Sequence, residues 1–429
     1  MKKYLFTNPD AKLIEGGICA PLGFTASGIY AGIKQSVNSD SAAEGNESPV
    51  KQKKNDLALV HCSGICKAAG VYTTNLVKGA CIDVTKRHIA DGYAQAIIVN
   101  SGNANTCNAD GKEKSEMMCN LAADALRIKP EDVIVASTGV IGQVLPIKPI
   151  EKALPALAES LSRDGGTQAA RAIMTTDTYE KEMAVEFELG GKKVRIGGMC
   201  KGSGMIHVNM ATMLCFITTD IAISREHLRK ALRQAVGDSF NMVSVDGDTS
   251  TNDMLMIMAS GHAGNKVITD SNANYDKFVL MLKEFCVALC REIARDGEGA
   301  TKLLVCNVRN AKFAQTAKNL AKSVICSSLF KAAMFGADAN WGRVLCAMGY
   351  SGEQFDPEKV SIDFQSEAGK IRVCENGAGV LFSENEAKKI LSDDEVYIEI
   401  DVASGTESAT AFGCDLTYDY VKINGDYRT

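Results

Sequence analysis

Several residue patterns that would assign a function at once are missing from this 429-residue sequence. Histidine occurs 5 times, with no HExxH or other ligand spacing, which argues against a metal centre. Basic residues do not cluster. The 47 Lys and Arg are scattered among 52 Asp and Glu for a formal net charge of -5, whereas a nucleic-acid binder gathers its cations on one face. No apolar run is long enough to cross a bilayer. The opening MKKYLFTNPD has two lysines but no apolar core behind them, so it makes a poor signal peptide, and no Arg-rich transit peptide is visible. Phosphate loops are absent as well: GGMCKGSG lacks the GxxxxGK[ST] order, and no GxGxxG opens a helix after a strand. There is no GxSxG elbow of a serine hydrolase.

What is present is the composition of a soluble globular protein, 46% hydrophobic and 23% charged, with a single Trp. The length suits two ordinary domains or one large one. The 15 cysteines are odd in number, dispersed, and never in a CxxC pair; most sit in apolar runs, as do Cys215, Cys306 and Cys346. Cys62/Cys66 and Cys286/Cys290 are four apart, which on a helix puts two small apolar side chains on one face as core packing. The thiols are therefore expected to be reduced and the compartment cytoplasmic.

Strand-length apolar runs followed by turn residues occur at Ala94–Asn100 and Asp132–Ser137, and Met254–Ser260 reads as a buried strand. Ser224–Phe240 opens on an N-cap Ser and keeps helical apolar spacing. Asn274–Arg295 reads as a long amphipathic helix carrying Phe278, Leu282, Phe285 and Leu289, and VSIDF, KIRVCE and EVYIEIDVA are late strands. The chain is thus mixed α/β, with helices packed on sheets but no clean βαβ rhythm. Gln35–Asn55 is rich in Ser, Asn and charge without apolar periodicity, so an exposed flexible loop is expected.

Two polar stretches invite a functional reading. VDGDTSTND (Val245–Asp253) crowds three aspartates, but a calcium loop needs glycine where Thr251 stands and a closing Glu that is absent, so a hydrogen-bonded turn is expected. STGVIG (Ser137–Gly142) presents backbone N–H groups after a strand and suits either an oxyanion nest or a plain tight connection. A third stretch is KGSGMIHVNMATMLCFITTD (Lys201–Asp220), in which a flexible polar half meets an apolar strand at Thr212. An internal Thr hydroxyl is a poor nucleophile. If the Ala211–Thr212 bond were cut, Thr212 would gain an α-amine of pKa roughly 7.7–8.0 that can act as base for its own Oγ. Composition alone also allows an ordinary loop-to-strand junction there.

KGSGMIHVNMATML resembles the self-cleavage segment of the ornithine acetyltransferases, also called glutamate N-acetyltransferases. GFTASGIYAGIK, VYTTNLVKGA, IIVNSGNANTC, ASTGVIGQVLP, AIMTTDT, VDGDTSTND, DGEGATK, ANWGRVL and the terminal GCDLTYDYVKINGDYRT agree in order and spacing, so the resemblance covers nearly the whole chain. It implies autocleavage into an α fragment, 1–211, and a β fragment, 212–429, that together form a layered α/β sandwich of the self-processing N-terminal-nucleophile type, with a smaller C-terminal α/β lobe over about 270–400. It implies that Thr212 carries an acetyl group from N-acetylornithine to glutamate by ping-pong chemistry, conserving it within arginine biosynthesis. Two αβ units would pair as a heterotetramer. No metal or cofactor is implied, and acetyl-CoA stays open as a second acetyl donor.

Residue roles carry over on the matching motifs. Thr138 and Gly139 match the oxyanion-hole pair, a kind of donor worth on the order of 10²–10³ in rate. Thr175, Lys201, Glu298, Asn424 and the terminal Thr429 match substrate contacts: Lys201 suits a carboxylate, and Glu298 suits the amino groups of ornithine. Without the family each would read as a turn residue, a solvated charge or a frayed end. His207-Val208 replaces the family's usual Ala-Pro, which would remove a φ constraint from the cleavage loop. A hydrolase of the same fold, such as a β-peptidyl aminopeptidase or amidohydrolase, and an unprocessed binding protein are the alternatives.

Overall fold

A computed structural model describes residues 6–34, 54–207 and 213–426. The strands are β1 (Lys12–Ile14), β2 (Phe24–Ile29), β3 (Leu57–Tyr72), β4 (Tyr93–Asn100), β5 (Val133–Ser137), β6 (Lys181–Leu189), β7 (Lys192–Lys201), β8 (Ile206–His207), β9 (Leu214–Thr219), β10 (Ser244–Thr249) and β11 (Met254–Ala259). They are followed by β12 (Leu303–Ala311), β13 (Ser361–Ser366), β14 (Gly369–Glu375), β15 (Ala378–Gly379), β16 (Glu395–Asp401) and β17 (Glu407–Cys414). Helices α1 (Ala80–His88), α2 (Gly111–Leu126), α3 (Ile147–Glu159), α4 (Gly166–Ala172), α5 (Arg225–Gly237) and α6 (Ala273–Arg295) belong to the first part. Helices α7 (Ala314–Cys326), α8 (Ser328–Phe335), α9 (Trp341–Gly349), α10 (Glu384–Leu391) and α11 (Tyr418–Asp426) come after β12.

Nine strands form one mixed sheet in the order β1-β6-β7-β9-β11-β3-β4-β5, with β2 on β3. Strand β11 shows why its sequence is an unbroken apolar run. Leu255, Ile257 and Ala259 enter one hydrophobic cluster with α5 and α6, while Met254, Met256 and Met258 enter another with β2 to β5 and α1 to α4. A strand buried on both faces has no polar side to show. The long strand β3 pairs with β2 over Leu57–Cys62, with β4 over Leu57–His61 and again at Cys66 and Lys67 after a register shift, and with β11 through its last six residues. At that irregularity the sheet folds over on itself, which brings the start of β11 to the end of β5: Asn252 Nδ2 donates to Ser137 O at 2.8 Å. Cys62 and Cys66 flank the shift. They are core residues, as their apolar setting suggests, but on a strand rather than a helix, where i and i+4 also share a face.

The second sheet runs β15-β14-β13-β16-β12-β17 and packs a separate cluster with α7 to α10. Helix α6, at the start of the expected C-terminal lobe, packs on both sheets. Its Phe278, Leu282, Phe285 and Leu289 join Cys215, Ile217 and Ile257 of the nine-stranded sheet, together with Leu303, Val305 and Phe412 of the second. It lies between the two sheets because its apolar stripe is wide enough to cover both. Its N-cap Asn272 accepts from Asn274 N (3.0 Å) and Tyr275 N (3.1 Å), and Ser224 caps α5 through His227 N. Of the 15 cysteines 12 are buried; Cys107 and Cys346 are exposed. Within the expected loop, Asn55 donates to Gly28 O at 2.9 Å, and residues 35–53 lie outside the described set. Among the described residues no helix is long and apolar enough to cross a membrane.

Candidate active site

Strand β7 ends on Lys201, which pairs with Leu214 at the start of β9 and is only 8% exposed. Among the described residues its ammonium donates no hydrogen bond. The next residue, Gly202, donates its N–H to Asp177 Oδ1 at 2.8 Å, and Thr175 N donates to Asp177 Oδ2 at 3.0 Å. One carboxylate therefore fixes the backbone beside both Thr175 and Lys201. Lys181 Nζ bridges Asp177 (2.7 Å) and Asp296 (2.5 Å), and its side chain is wholly buried. Burial opposes the charged form of Asp177, but the cations of Lys181 and Lys201 and the N–H donors hold its carboxyl well below the usual carboxylate range. Burial likewise opposes the Lys181 ammonium, and the two carboxylates outweigh it and raise its pKa.

Glu298 follows from the same helix end. Its N–H donates to Ser203 O at 2.8 Å, and its carboxylate accepts from Asn424 Nδ2 of α11 at 2.8 Å. The carboxylate lies against Gly204, where a Cβ would fall 2.2–2.4 Å from its atoms and would displace it. Ser203 and Thr176 share a hydroxyl hydrogen bond of 2.7 Å.

On the facing side, the loops after β4 and β5 are locked together. Asn100 Oδ1 accepts from Gly102 N (3.2 Å) and Asn103 N (3.0 Å), and its amide donates to Ser137 Oγ at 2.7 Å. Thr138 N donates to Asn100 O at 3.0 Å, so the turn is not a nest with both amides outward. Gly139 has φ 129, and a Cβ there would meet Asn103 N at 2.8 Å. Among the described residues the Thr138 hydroxyl and the Gly139 amide make no hydrogen bond. Asn252 clamps the loops to β11: its Nδ2 also reaches Ala104 O (2.5 Å), and its Oδ1 accepts from Thr106 Oγ1 (2.6 Å) and Thr251 Oγ1 (2.5 Å).

The expected turn at Val245–Asp253 is in part strand β10, which ends at Thr249, and the segment holds neighbouring backbone. Asp246 accepts from Met205 N (2.6 Å), Ile206 N (2.9 Å) and Asp248 N (3.1 Å). Among the described residues no three potential ligands gather as a metal site. Asp253 is 2% exposed, and its Oδ2 has no partner among the described residues; burial pushes its carboxyl well above the usual range, against the pull of Ser250 and Lys201. Lys34 donates to Asn55 O (3.3 Å) and to Met174 O (3.1 Å), and burial lowers its pKa to about 8 despite Asp56. His207 Nδ1 lies 3.2 Å from Ser244 Oγ on β10 and 3.5 Å from Cys326 Sγ. Burial, aided by Lys322, lowers its pKa to about 4, which leaves it neutral at pH 7.

The description of the ArgJ family matches residues 42–429. This chain belongs to the ArgJ family. The arginine biosynthesis bifunctional protein ArgJ of Caldanaerobacter subterraneus is 46% identical over 97% of this chain and 100% of its own length. That of Symbiobacterium thermophilum is 49% identical over 97% and 99%. Among solved structures, ArgJ from Bacillus halodurans is 44% identical, covers 49% of this chain and 98% of its own, and has a TM-score of 0.47. The ornithine acetyltransferase of Mycobacterium tuberculosis complexed with ornithine is 33% identical over 46% and 97%, with a TM-score of 0.39.

Of the residues that the motifs of this ArgJ-family sequence single out, Thr175 and Lys201 meet at Asp177, and Glu298 meets Asn424. Thr138 and Gly139 stand on the turn that Asn252 joins to β11. Ala211, Thr212 and Thr429 lie outside the described residues. Motif matching missed Asp177, Lys181 and Asp296. Asp177 and Asp296 lie inside AIMTTDT and DGEGATK, and the spacing of Asp177 and Lys181 was the one local signal for the cluster.

Proposed function

We propose that this chain is an acetyltransferase of arginine biosynthesis that moves the acetyl group of N-acetylornithine to glutamate, after cleaving itself between Ala211 and Thr212. The observation that supports it best is the convergence of a buried, unbonded lysine, Lys201, with the Glu298–Asn424 pair beside the start of β9. Lys201 has the Asp177 carboxylate as a neighbouring charge but donates no hydrogen bond among the described residues, which leaves its ammonium free to donate to a substrate α-carboxylate. Glu298 offers the opposite charge for the amino group of ornithine, while the Asn424 amide is a donor that also suits an acidic side chain.

Thr212 Oγ attacks the acetyl carbonyl and passes its proton to its own α-amine. The Thr138 hydroxyl and Gly139 amide are the donors we assign to the oxyanion. Collapse of the tetrahedral adduct breaks the C–N bond, and the α-amine returns the proton to departing ornithine. The amine of glutamate then attacks the acetyl ester, forms N-acetylglutamate and restores the hydroxyl. This chemistry calls for no cofactor. The designation of the relatives as bifunctional supports acetyl-CoA as a second acetyl donor. We assign the enzyme to the cytoplasm, on its dispersed, free thiols, and to a heterotetramer of two αβ units.

The test is formation of N-acetylglutamate from glutamate with each donor supplied separately, alongside mass spectrometry of the active protein. Transfer from N-acetylornithine and a new amino terminus at Thr212 are expected. Release of free acetate without N-acetylglutamate would make the protein a hydrolase instead, and activity in a single intact chain would remove the proposed base.

A further inference from the structure

The cluster Asp177–Lys181–Asp296 lies behind the substrate contacts, and nothing in the transfer chemistry uses it. Its members and their hydrogen bonds touch the segments that carry Thr175, Lys201 and Glu298. Asp177 takes the N–H of Thr175 and of Gly202, the residue after Lys201. Asp296 takes the N–H of Thr178 at 3.0 Å, caps the end of α6, and stands two residues before Glu298. Lys181 joins the two carboxylates at 2.7 and 2.5 Å. Two carboxylates and one ammonium leave one negative charge, and Lys201 is the neighbouring cation that meets it.

A triad of this kind carries a large desolvation cost that hydrophobic residues of the same volume would avoid. Asp177 places its two oxygens on two different substrate-contact segments rather than on one, which serves alignment more than stability. We propose that Asp177 is a positioning residue for substrate: it sets Thr175 and Lys201 relative to one another, and through Lys181 and Asp296 it ties both to the helix end that presents Glu298. The proposal rests on the acetyltransferase reading above. It also spans the cleavage point, since Asp177 and Lys181 precede residue 211 and Asp296 follows it.

Asp177→Asn leaves Lys181 and Asp296 as a neutral pair, while Lys201 loses its neighbouring carboxylate. The N–H of Thr175 and of Gly202 would then face a weaker, misoriented acceptor. We expect the variant to cleave normally and to raise KM for N-acetylornithine by about tenfold or more, with kcat within about threefold. Asp296→Asn, which leaves both bonds from Asp177 in place but weakens the tie to the helix end, is expected to raise KM by about threefold, less than Asp177→Asn does. A purely structural ion cluster would move the two variants alike and lower their melting temperatures together; that result, or an unchanged KM in Asp177→Asn, overturns the proposal. If Asp177→Asn does not fold, Asp177→Ser takes its place. Failure of both to give folded, cleaved protein makes Asp177 a requirement of folding and also overturns it. An inactive but well-folded wild-type enzyme would instead count against the acetyltransferase reading.

Discussion

Glu298 and Asn424 are 126 residues apart and joined by one hydrogen bond of 2.8 Å, from the amide of α11 to the carboxylate at the end of α6. The bond joins α11 to the candidate site. Removing the amide in Asn424→Ala leaves the carboxylate to turn into water. A hydrogen bond to a charged group is worth about 1.5–3 kcal/mol, so KM for N-acetylornithine should rise about tenfold or more. Steady-state kinetics with an unchanged KM would detach α11 from substrate binding.

Lys201→Ala removes the cation assigned to the substrate carboxylate. The expected outcome is a sharp rise in KM, on the order of 10²-fold, with self-cleavage retained. Electrophoresis and a substrate titration on one preparation check both halves.

Gly139→Ala puts a methyl group where φ is 129 and Asn103 N stands 2.8 Å away. The turn must move, and with it the amide assigned to the oxyanion. A loss of about 10²-fold in kcat with a smaller change in KM is expected. A variant whose loss falls in KM alone would take Gly139 out of that role.

Thr212→Ala should run as one full-length band in denaturing electrophoresis, where the parent gives two of similar size, and should form no N-acetylglutamate. Activity in this variant would refute the nucleophile.

The pH dependence of stability tests His207. Its folded pKa is about 4 against an ordinary value of 6.5, so between these limits the unfolded chain binds a proton that the folded chain refuses. Stability therefore rises with pH across this window and is lost as pH falls from 6.5 toward 4. His207→Gln should flatten part of that slope in thermal melts. It should also leave self-cleavage near the parental rate at pH 7, since the neutral ring serves the β8–β10 pairing through Ser244.

Periodicity and caps carried the elements with a strong local signal. β4, β5, β11 and the capped helices α5 and α6 stand where their apolar spacing puts them. The placement of α6 was not legible, because an amphipathic stripe shows that a helix is buried but not by which sheet. The fold of the nine-stranded sheet at His61–Cys66 was hidden for a related reason: nothing local in HCSGIC distinguishes an irregular strand from a helix face. In the site, motif similarity reached the side chains that would face a substrate. It passed over Asp177, Lys181 and Asp296, whose charges read as solvated until the tertiary structure buries them together.

The order of strands in the large sheet bears on what a broken chain would become. β9 and β11, which follow residue 212, lie between β7 and β3, which precede it, and each flank is a ladder of six residue pairs. A downstream piece would be held like a wedge between two jaws of the upstream one, so a nick at residue 212 would release nothing. An affinity handle on either end of the gene product should recover both pieces in equal amounts from native extracts, and only a denaturant should part them.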